Sequence, residues 1–358
     1  MKGWIGCVGI ALVLLGSGLV TARADVNDLL RLWIPSSLEF CGEPVPLDRA
    51  DVRERLDLEL VVVLGDPVSA ALWFKRAPRY LPAVETALET EGLPQDLKYI
   101  AVIESNLRPE AVSSAGAVGA WQFVRATGRL YGLQSRDGYD DRRDWEKSTR
   151  AALAHLRDLW EAFGSWPLAL AAYNAGRRRV ADAMESQGES SFYDLRLPRE
   201  TERYVFRVMA AKLVLEHPDR YGIDLEGART WSAWDTRKVT LRVDRRRLPV
   251  TAVARAAGLG FRRLVELNPW IVGTELGKGT YRVTVPAGEA PEFPERLVRW
   301  EAEHPEPRQI YHRVRRGDTL TAIARRYGIT VGEICEWNGI SRRSTIYPGQ
   351  TLVLLLTD

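Results

Sequence analysis

Cysteine is scarce in this chain of 358 residues, with only Cys7, Cys41 and Cys335 present. Cys41 and Cys335 are too few and too far apart to form a disulfide framework, so they are expected as buried or free thiols. An excess of charge of one sign is also missing: 50 Lys and Arg stand against 47 Asp and Glu. That balance gives no concentrated basic face for nucleic acid. The runs Arg177-Arg178-Arg179 and Arg245-Arg246-Arg247 read as solvated surface. Long apolar runs are absent after the first 24 residues. There, Lys2, an apolar stretch from Ile5 to Val20, and Ala22-Arg23-Ala24 follow the pattern of a secretory leader. The run is short for a membrane span, which needs about 20 apolar residues. Lipidation would need the apolar stretch to precede the cysteine, whereas most of it follows Cys7, so lipidation is not expected. Cleavage would start the mature chain at Asp25, remove Lys2 and Arg23, and leave 48 basic against 47 acidic residues.

What is present is an ordinary globular composition, 46% hydrophobic and 27% charged, in a chain long enough for two or three cores. From Asp25 to about Leu215 the pattern is nearly all helical, with breaks at Pro and Gly; Leu153, Leu156, Trp160 and Phe163 recur at three and four. After that come short β-like pieces, "KVTLRV" and "YRVTVPAG", around the helical stretch "TAVARAAGLGFRRLVELNPW". "PAGEAPEFPERLVRWEAEHPEP" reads as a Pro/Glu-rich linker with room for one short helix. The last unit, Ile310 to Leu356, carries its own signals. "IYHRV" is a strand, Asp318 or Thr319 caps a helix ending at Gly328, Thr330 and Glu333 form a capping box for a second helix, and "QTLVLLL" closes the unit.

The chemical interest centres on "GLPQDLKYIAVIESNLRPEAVSSAGAVGAWQF". Leu97, Ile100, Ala101 and Glu104 share one helical face, which turns Glu104 inward. A buried carboxyl group is held towards its neutral form, and an acid neutral near pH 7 is a competent general acid. The small residues "AVSSAGAVGA" let a backbone approach a ligand closely, with Gly116 and Gly119 free to turn. Trp121 and Gln122 then offer a ring and an amide, the groups a sugar stacks on and hydrogen-bonds. A tight packing turn with a core tryptophan accounts for the composition equally well.

Two resemblances narrow these alternatives. "VRRGDTLTAIARRYGITVGEICEWNGI" and "IYPGQTLVL" closely resemble a LysM domain, which implies binding of N-acetylglucosamine-containing polymers and assigns Gly317, Asp318, Thr319 and Asn338 to that contact. Residues 239 to 286 look like a degraded relative lacking the Gly-Asp-Thr-Leu core, for which carbohydrate binding and a structural spacer or docking surface are equal alternatives. "ESNLRPEAVSSAGAVGAWQF", "DDRRDWEKSTRAALAHL", "WPLALAAYNAG" and "LPRETERYV" resemble, in order and spacing, lytic transglycosylases of the membrane-bound murein transglycosylase D type. The resemblance implies an α+β multidomain protein: a leader at 1–24, a helical region at 25–90, a mainly α-helical, lysozyme-like catalytic domain at 91–225, a degenerate module at 236–288, a linker at 289–308, and a βααβ LysM domain at 309–357.

Position by position, the resemblance makes Glu104 the catalytic acid, Ser113 and Gln122 polar substrate contacts, Tyr173 and Asn174 cleft residues, and Tyr204 a tyrosine close to the glutamate. Val124 and the pair Phe206-Arg207 depart from the family pattern without removing a chemical group. The implied reaction uses one carboxyl group to cut the N-acetylmuramic acid to N-acetylglucosamine bond of peptidoglycan and close a 1,6-anhydro ring. A hydrolytic muramidase would need a second carboxylate; Asp137, Asp140, Asp141 and Asp144 are the nearest cluster in sequence and read as turn and cap residues. A non-catalytic peptidoglycan-binding scaffold is the remaining alternative. The expected partners are peptidoglycan glycan strands at the periplasmic cell envelope, with peripheral membrane association allowed, and with no nucleic acid, metal or cofactor.

Overall fold

The computed structural model describes residues 26–136, 138–305 and 308–356; the leader expected at 1–24 and Asp137 lie outside the described residues. Contacts divide the chain into two compact units, one of residues 26–108, 120–122 and 149–233, the other of residues 109–119, 123–148 and 234–356.

The first unit begins with a short helical turn, α1 (Val26–Leu29), and an antiparallel hairpin, β1 (Leu38–Phe40) and β2 (Glu43–Val45), with Leu38 opposite Val45. The helical pattern concealed this hairpin, whose strands are only three residues long. Helix α2 (Ala50–Leu64) buries Val52, Leu56, Glu59, Leu60 and Val63. Helix α3 (Pro67–Thr90) starts on Asp66, whose carboxylate accepts from the Ser69 amide, and runs on through Pro78 and Pro82. Each proline removes one backbone donor, but the inward stripe of Trp73, Leu81, Val84 and Leu88 is preserved. A turn at Gln95–Leu97 leads into α4 (Lys98–Ser105), which stops where Asn106 and Leu107 adopt φ of 53° and 58°.

After α5 (Arg125–Leu130), which belongs to the second unit, α6 (Trp145–Phe163) continues the chain. Leu153 and Leu156 are buried as expected, whereas Trp160 is 41% exposed and stacks on Trp166 at 5.8 Å. Helices α7 (Trp166–Ala175) and α8 (Arg177–Gln187) meet at Gly176, and α9 (Arg199–Glu216) packs against α2, α4 and α7. Helix α9 buries ten residues, among them Tyr204, Phe206, Met209 and Leu213, so it is the element around which this unit closes.

In the second unit, antiparallel bridges join Val112 to Val118 and Val118 to Phe123. A small hairpin follows, β3 (Ser135–Arg136) with β4 (Tyr139–Asp140). The chain then builds two modules of one order, strand, helix, helix, strand. In the first, β5 (Thr236–Pro249) pairs antiparallel with β6 (Glu275–Pro286) around α10 (Val250–Ala256) and α11 (Phe261–Leu267), with a register shift between Val243 and Arg247. The stretch read as a linker carries helix α12 (Phe293–Glu303), whose Phe293 enters this core while Leu297 and Trp300 pack against it. The second module pairs β7 (Arg308–Arg313) with β8 (Thr351–Leu356) around α13 (Leu320–Tyr327) and α14 (Val331–Asn338). Its Thr319 cap and its Thr330–Glu333 capping box both form.

Candidate active site

Glu104 sits in the last turn of α4, half-buried rather than enclosed. The Tyr204 hydroxyl on α9 donates to its Oε1 at 2.6 Å. Burial pushes the Glu104 carboxyl up to about 7; the Tyr204 hydrogen bond opposes this, the Glu200 charge adds to it, and the Arg207 charge opposes it. Burial also holds the phenols of Tyr204 and Tyr173 well above their ordinary range, with the Glu104 charge next in weight for each. Both therefore remain hydrogen-bond donors at neutral pH.

The neighbours of this group are fixed from several helices. Tyr173, near the end of α7, donates to the Trp121 carbonyl at 2.7 Å, with the His155 ring 5.2 Å away. Burial lowers the His155 imidazole to about 4, so it adds no positive charge here at neutral pH. Asn174 is exposed, and its Oδ1 accepts from Thr201 at 2.9 Å, which ties the end of α7 to the start of α9. Gln122 is half-buried with φ of 48°, a left-handed conformation uncommon for a residue with a side chain. Trp121 corrects the sequence expectation. Its indole is fully buried and donates to Thr149 at 3.0 Å, so the ring is core and offers no face to a sugar; only its carbonyl serves the site.

Sequence reasoning missed the support behind Tyr204. Glu59 on α2 is fully buried and its carboxylate binds both Arg203 and Arg207, the latter at 3.0 Å. Arg207 also reaches Glu200 at 3.2 Å. The two arginines lie one turn apart on α9 and flank Tyr204, so one buried charge pins the helix that carries the phenol. The signal was available, since Glu59 falls on the apolar stripe of Leu56, Leu60 and Val63 and Arg203 and Arg207 share an i, i+4 face.

Ser113 belongs to the other unit. Its Oγ accepts from the Ala117 amide at 3.0 Å and its own amide donates to the Ala117 carbonyl at 2.9 Å. Gly119, at φ of 90°, has a structural requirement: a Cβ there would lie 1.8 Å from the Arg142 carbonyl oxygen. The described aspartates of the cluster, Asp140, Asp141 and Asp144, are each held by neighbouring groups. Asp140 binds Arg142 at 2.7 Å, Asp141 binds Lys147 at 2.7 Å and accepts from Tyr139, and Asp144 accepts from the Lys147 amide at 2.9 Å.

Three of the four LysM residues, Asp318, Thr319 and Asn338, have framework partners. Gly317 has φ of 91°. The Arg315 amide, first, and His312 hold the Asp318 carboxyl below its ordinary value, at 2.8 and 3.0 Å. Thr319 caps α13, and the Asn338 amide is fully engaged by the backbone of Ile334 and Val353. Cys41 and Cys335 are buried free thiols. Among the described residues no group of three His, Cys, Asp or Glu is arranged to hold a metal, and no helix is long and apolar enough to cross a membrane.

Comparison with known proteins matches residues 83–195 to the transglycosylase SLT domain and residues 312–354 to the LysM domain. The chain is 34% identical over 295 residues to membrane-bound lytic murein transglycosylase D of Escherichia coli K12, covering 78% of this chain and 64% of that protein. Over 112 residues it is 34% identical to peptidoglycan transglycosylase gp16 of phage T7, covering 30% of this chain and 8% of that protein. Among solved structures, the soluble lytic transglycosylase SLT70 of Escherichia coli aligns over 51% of this chain and 32% of its own, at 21% identity and a TM-score of 0.36. Residues 83–195 are thus a transglycosylase SLT domain and residues 312–354 a LysM domain, in a chain similar over most of its length to membrane-bound lytic murein transglycosylase D.

Proposed function

We propose that this protein is a peptidoglycan lytic transglycosylase of the cell envelope in which Glu104 acts alone, first as acid and then as base. The observation that carries the reading is a carboxyl group at about 7 that accepts a hydrogen bond from a phenol at 2.6 Å. Such a group is partly protonated at neutral pH and so able both to give and to retake a proton. Glu104 would protonate the oxygen between N-acetylmuramic acid and N-acetylglucosamine while the sugar's own acetamido group supports the cationic carbon. The ionised Glu104 would then take the C6 hydroxyl proton, and that oxygen would close the 1,6-anhydro ring.

In this reading Tyr204 steadies the carboxylate, Tyr173 and Gln122 contact sugar, and Asn174 fixes the junction of α7 and α9. Ser113 acts through its loop. Similarity to the murein transglycosylase over most of the chain supports the substrate class, and the LysM domain supports retention on glycan. The leader at 1–24 would export the chain, the helices of 25–90 would support a catalytic domain at 91–225, and the unit from residue 309 would anchor it to murein. The test is Glu104→Gln. The amide keeps shape and can still accept from Tyr204, so the variant should fold and bind sacculi while murein digestion falls by about a hundredfold or more. Digestion near the wild-type rate would remove Glu104 from the acid role.

A further inference from the structure

The first module has an aromatic face of the kind a sugar stacks on, but that face is already filled. The rings of Trp270 and Tyr281 lie stacked, 5.7 Å apart and 2° from parallel. Tyr139, from the β3–β4 hairpin, stands edge-on to both at 5.4 and 5.6 Å, and all three residues are buried. Backbone pairing reinforces the contact. The Asp140 amide donates to the Trp270 carbonyl at 2.9 Å, the Val272 amide donates to the Gly138 carbonyl at 3.1 Å, and Tyr139 bridges antiparallel to Ile271. The fit admits no side chain at its centre: a Cβ on Gly138 would lie 2.5 Å from the Glu275 carbonyl oxygen, and one on Gly273 would lie 2.8 Å from the Gly138 Cα. Lys238 of β5 also pairs with Glu146 of α6 at 2.6 Å.

The other side of the same hairpin holds the small-residue loop. Asp140 grips the Arg142 guanidinium through Nε and Nη2 at 3.0 and 2.7 Å. Nη1 of Arg142 donates to the carbonyls of Gly116 and Phe123 at 3.3 and 3.1 Å. The Arg142 carbonyl is packed on Gly119. Contacts thus run without a break from Trp270, through Tyr139 and the Asp140–Arg142 pair, to the loop that carries Ser113.

We infer that the module of residues 236–286 is an internal brace for the Ser113 loop, and that the partner of its Trp270–Tyr281 face is the chain's own hairpin rather than a glycan. The kinetic part of this inference rests on the lytic reading of the site; the structural part does not. Hydrogen exchange of the full-length protein tests the structural part without any turnover. Trp270→Ala should speed exchange of the amides of residues 112–119 by about tenfold or more, since local protection follows the contacts that must open. Lys238→Glu leaves the module's core untouched and should speed the same amides by about two- to fivefold, the weight of a partly exposed ion pair. Adding Glu146→Lys should restore them. In murein digestion Lys238→Glu should raise KM, with kcat and the pH profile unchanged, and the double variant should recover KM. Unchanged exchange at 112–119 in both Trp270→Ala and Lys238→Glu would overturn the inference. So would protection of residues 268–276 by oligomers of N-acetylglucosamine, because the face would then be a glycan site.

Discussion

In the module of residues 236–303, Asn268 donates to the carbonyls of Leu264 and Thr284 and accepts from the Thr284 amide; in that of residues 308–356, Asn338 makes the same three bonds with Ile334 and Val353. Each asparagine staples the end of the second helix to the last strand. Around this shared framework the modules diverge. Helices α13 and α14 are capped by Thr319 and by the Thr330–Glu333 box, while α10 and α11 start after Pro249 and Gly260 with no side-chain cap. The first module instead buries Trp270, Tyr281, Phe293 and Tyr139 in one cluster, whereas the second leaves Tyr311 and Tyr347 68% and 66% exposed. The module with its own caps keeps these two tyrosines on its surface. One that has lost them relies on burial against the rest of its chain.

Substitutions sharpen this contrast, the largest effect first. Glu104→Gln should separate turnover from retention: digestion should be lost while sacculi, through the second module, should hold the variant as well as wild type. The same variant reports the raised carboxyl. A group raised from 4.5 to about 7 favours the folded state below 4.5, and that contribution is lost as pH rises towards 7. The stability of Glu104→Gln relative to wild type, followed by thermal unfolding, should therefore increase between those pH values and level off above. Wild-type turnover should fall as pH rises through about 7, because the acid form disappears.

Next come the staples. Asn338→Ala and Asn268→Ala each strand buried backbone groups, which costs about 2 kcal/mol. In the second module the loss should appear as weaker retention on sacculi, and in the first as faster exchange in the Ser113 loop with retention unchanged. The smallest effect is Thr330→Ala, a lost cap of about 1 kcal/mol, which should weaken retention and leave turnover of soluble glycan fragments alone. Equal effects of these changes on both readouts would break the distinction between the modules.

The second module was legible in the sequence because its signals are local: a cap, a box, a glycine stop and two strands. Glu104 was legible for the same reason, since the spacing of one short helix turned it inward. What escaped notice depends on partners distant in sequence. Whether Trp121 faces a ligand or the core is decided by Thr149, and the role of Glu59 exists only once α2 meets Arg203 and Arg207 of α9. The apolar side of α12 looked like linker because prolines and glutamates surround Phe293, Leu297 and Trp300. Nor does anything near Tyr139 in sequence announce Trp270.

The central claim is that one carboxyl group does the chemistry and the substrate supplies the attacking oxygen. An internal hydroxyl has the advantage of proximity, about 7 to 11 kcal/mol when the geometry is right. Mass spectrometry of digested murein reads this directly, since 1,6-anhydro-N-acetylmuramic acid ends are one water lighter than hydrolytic ends and non-reducing. Products dominated by anhydro ends are predicted. Products dominated by reducing ends would contradict the claim and make the protein a muramidase.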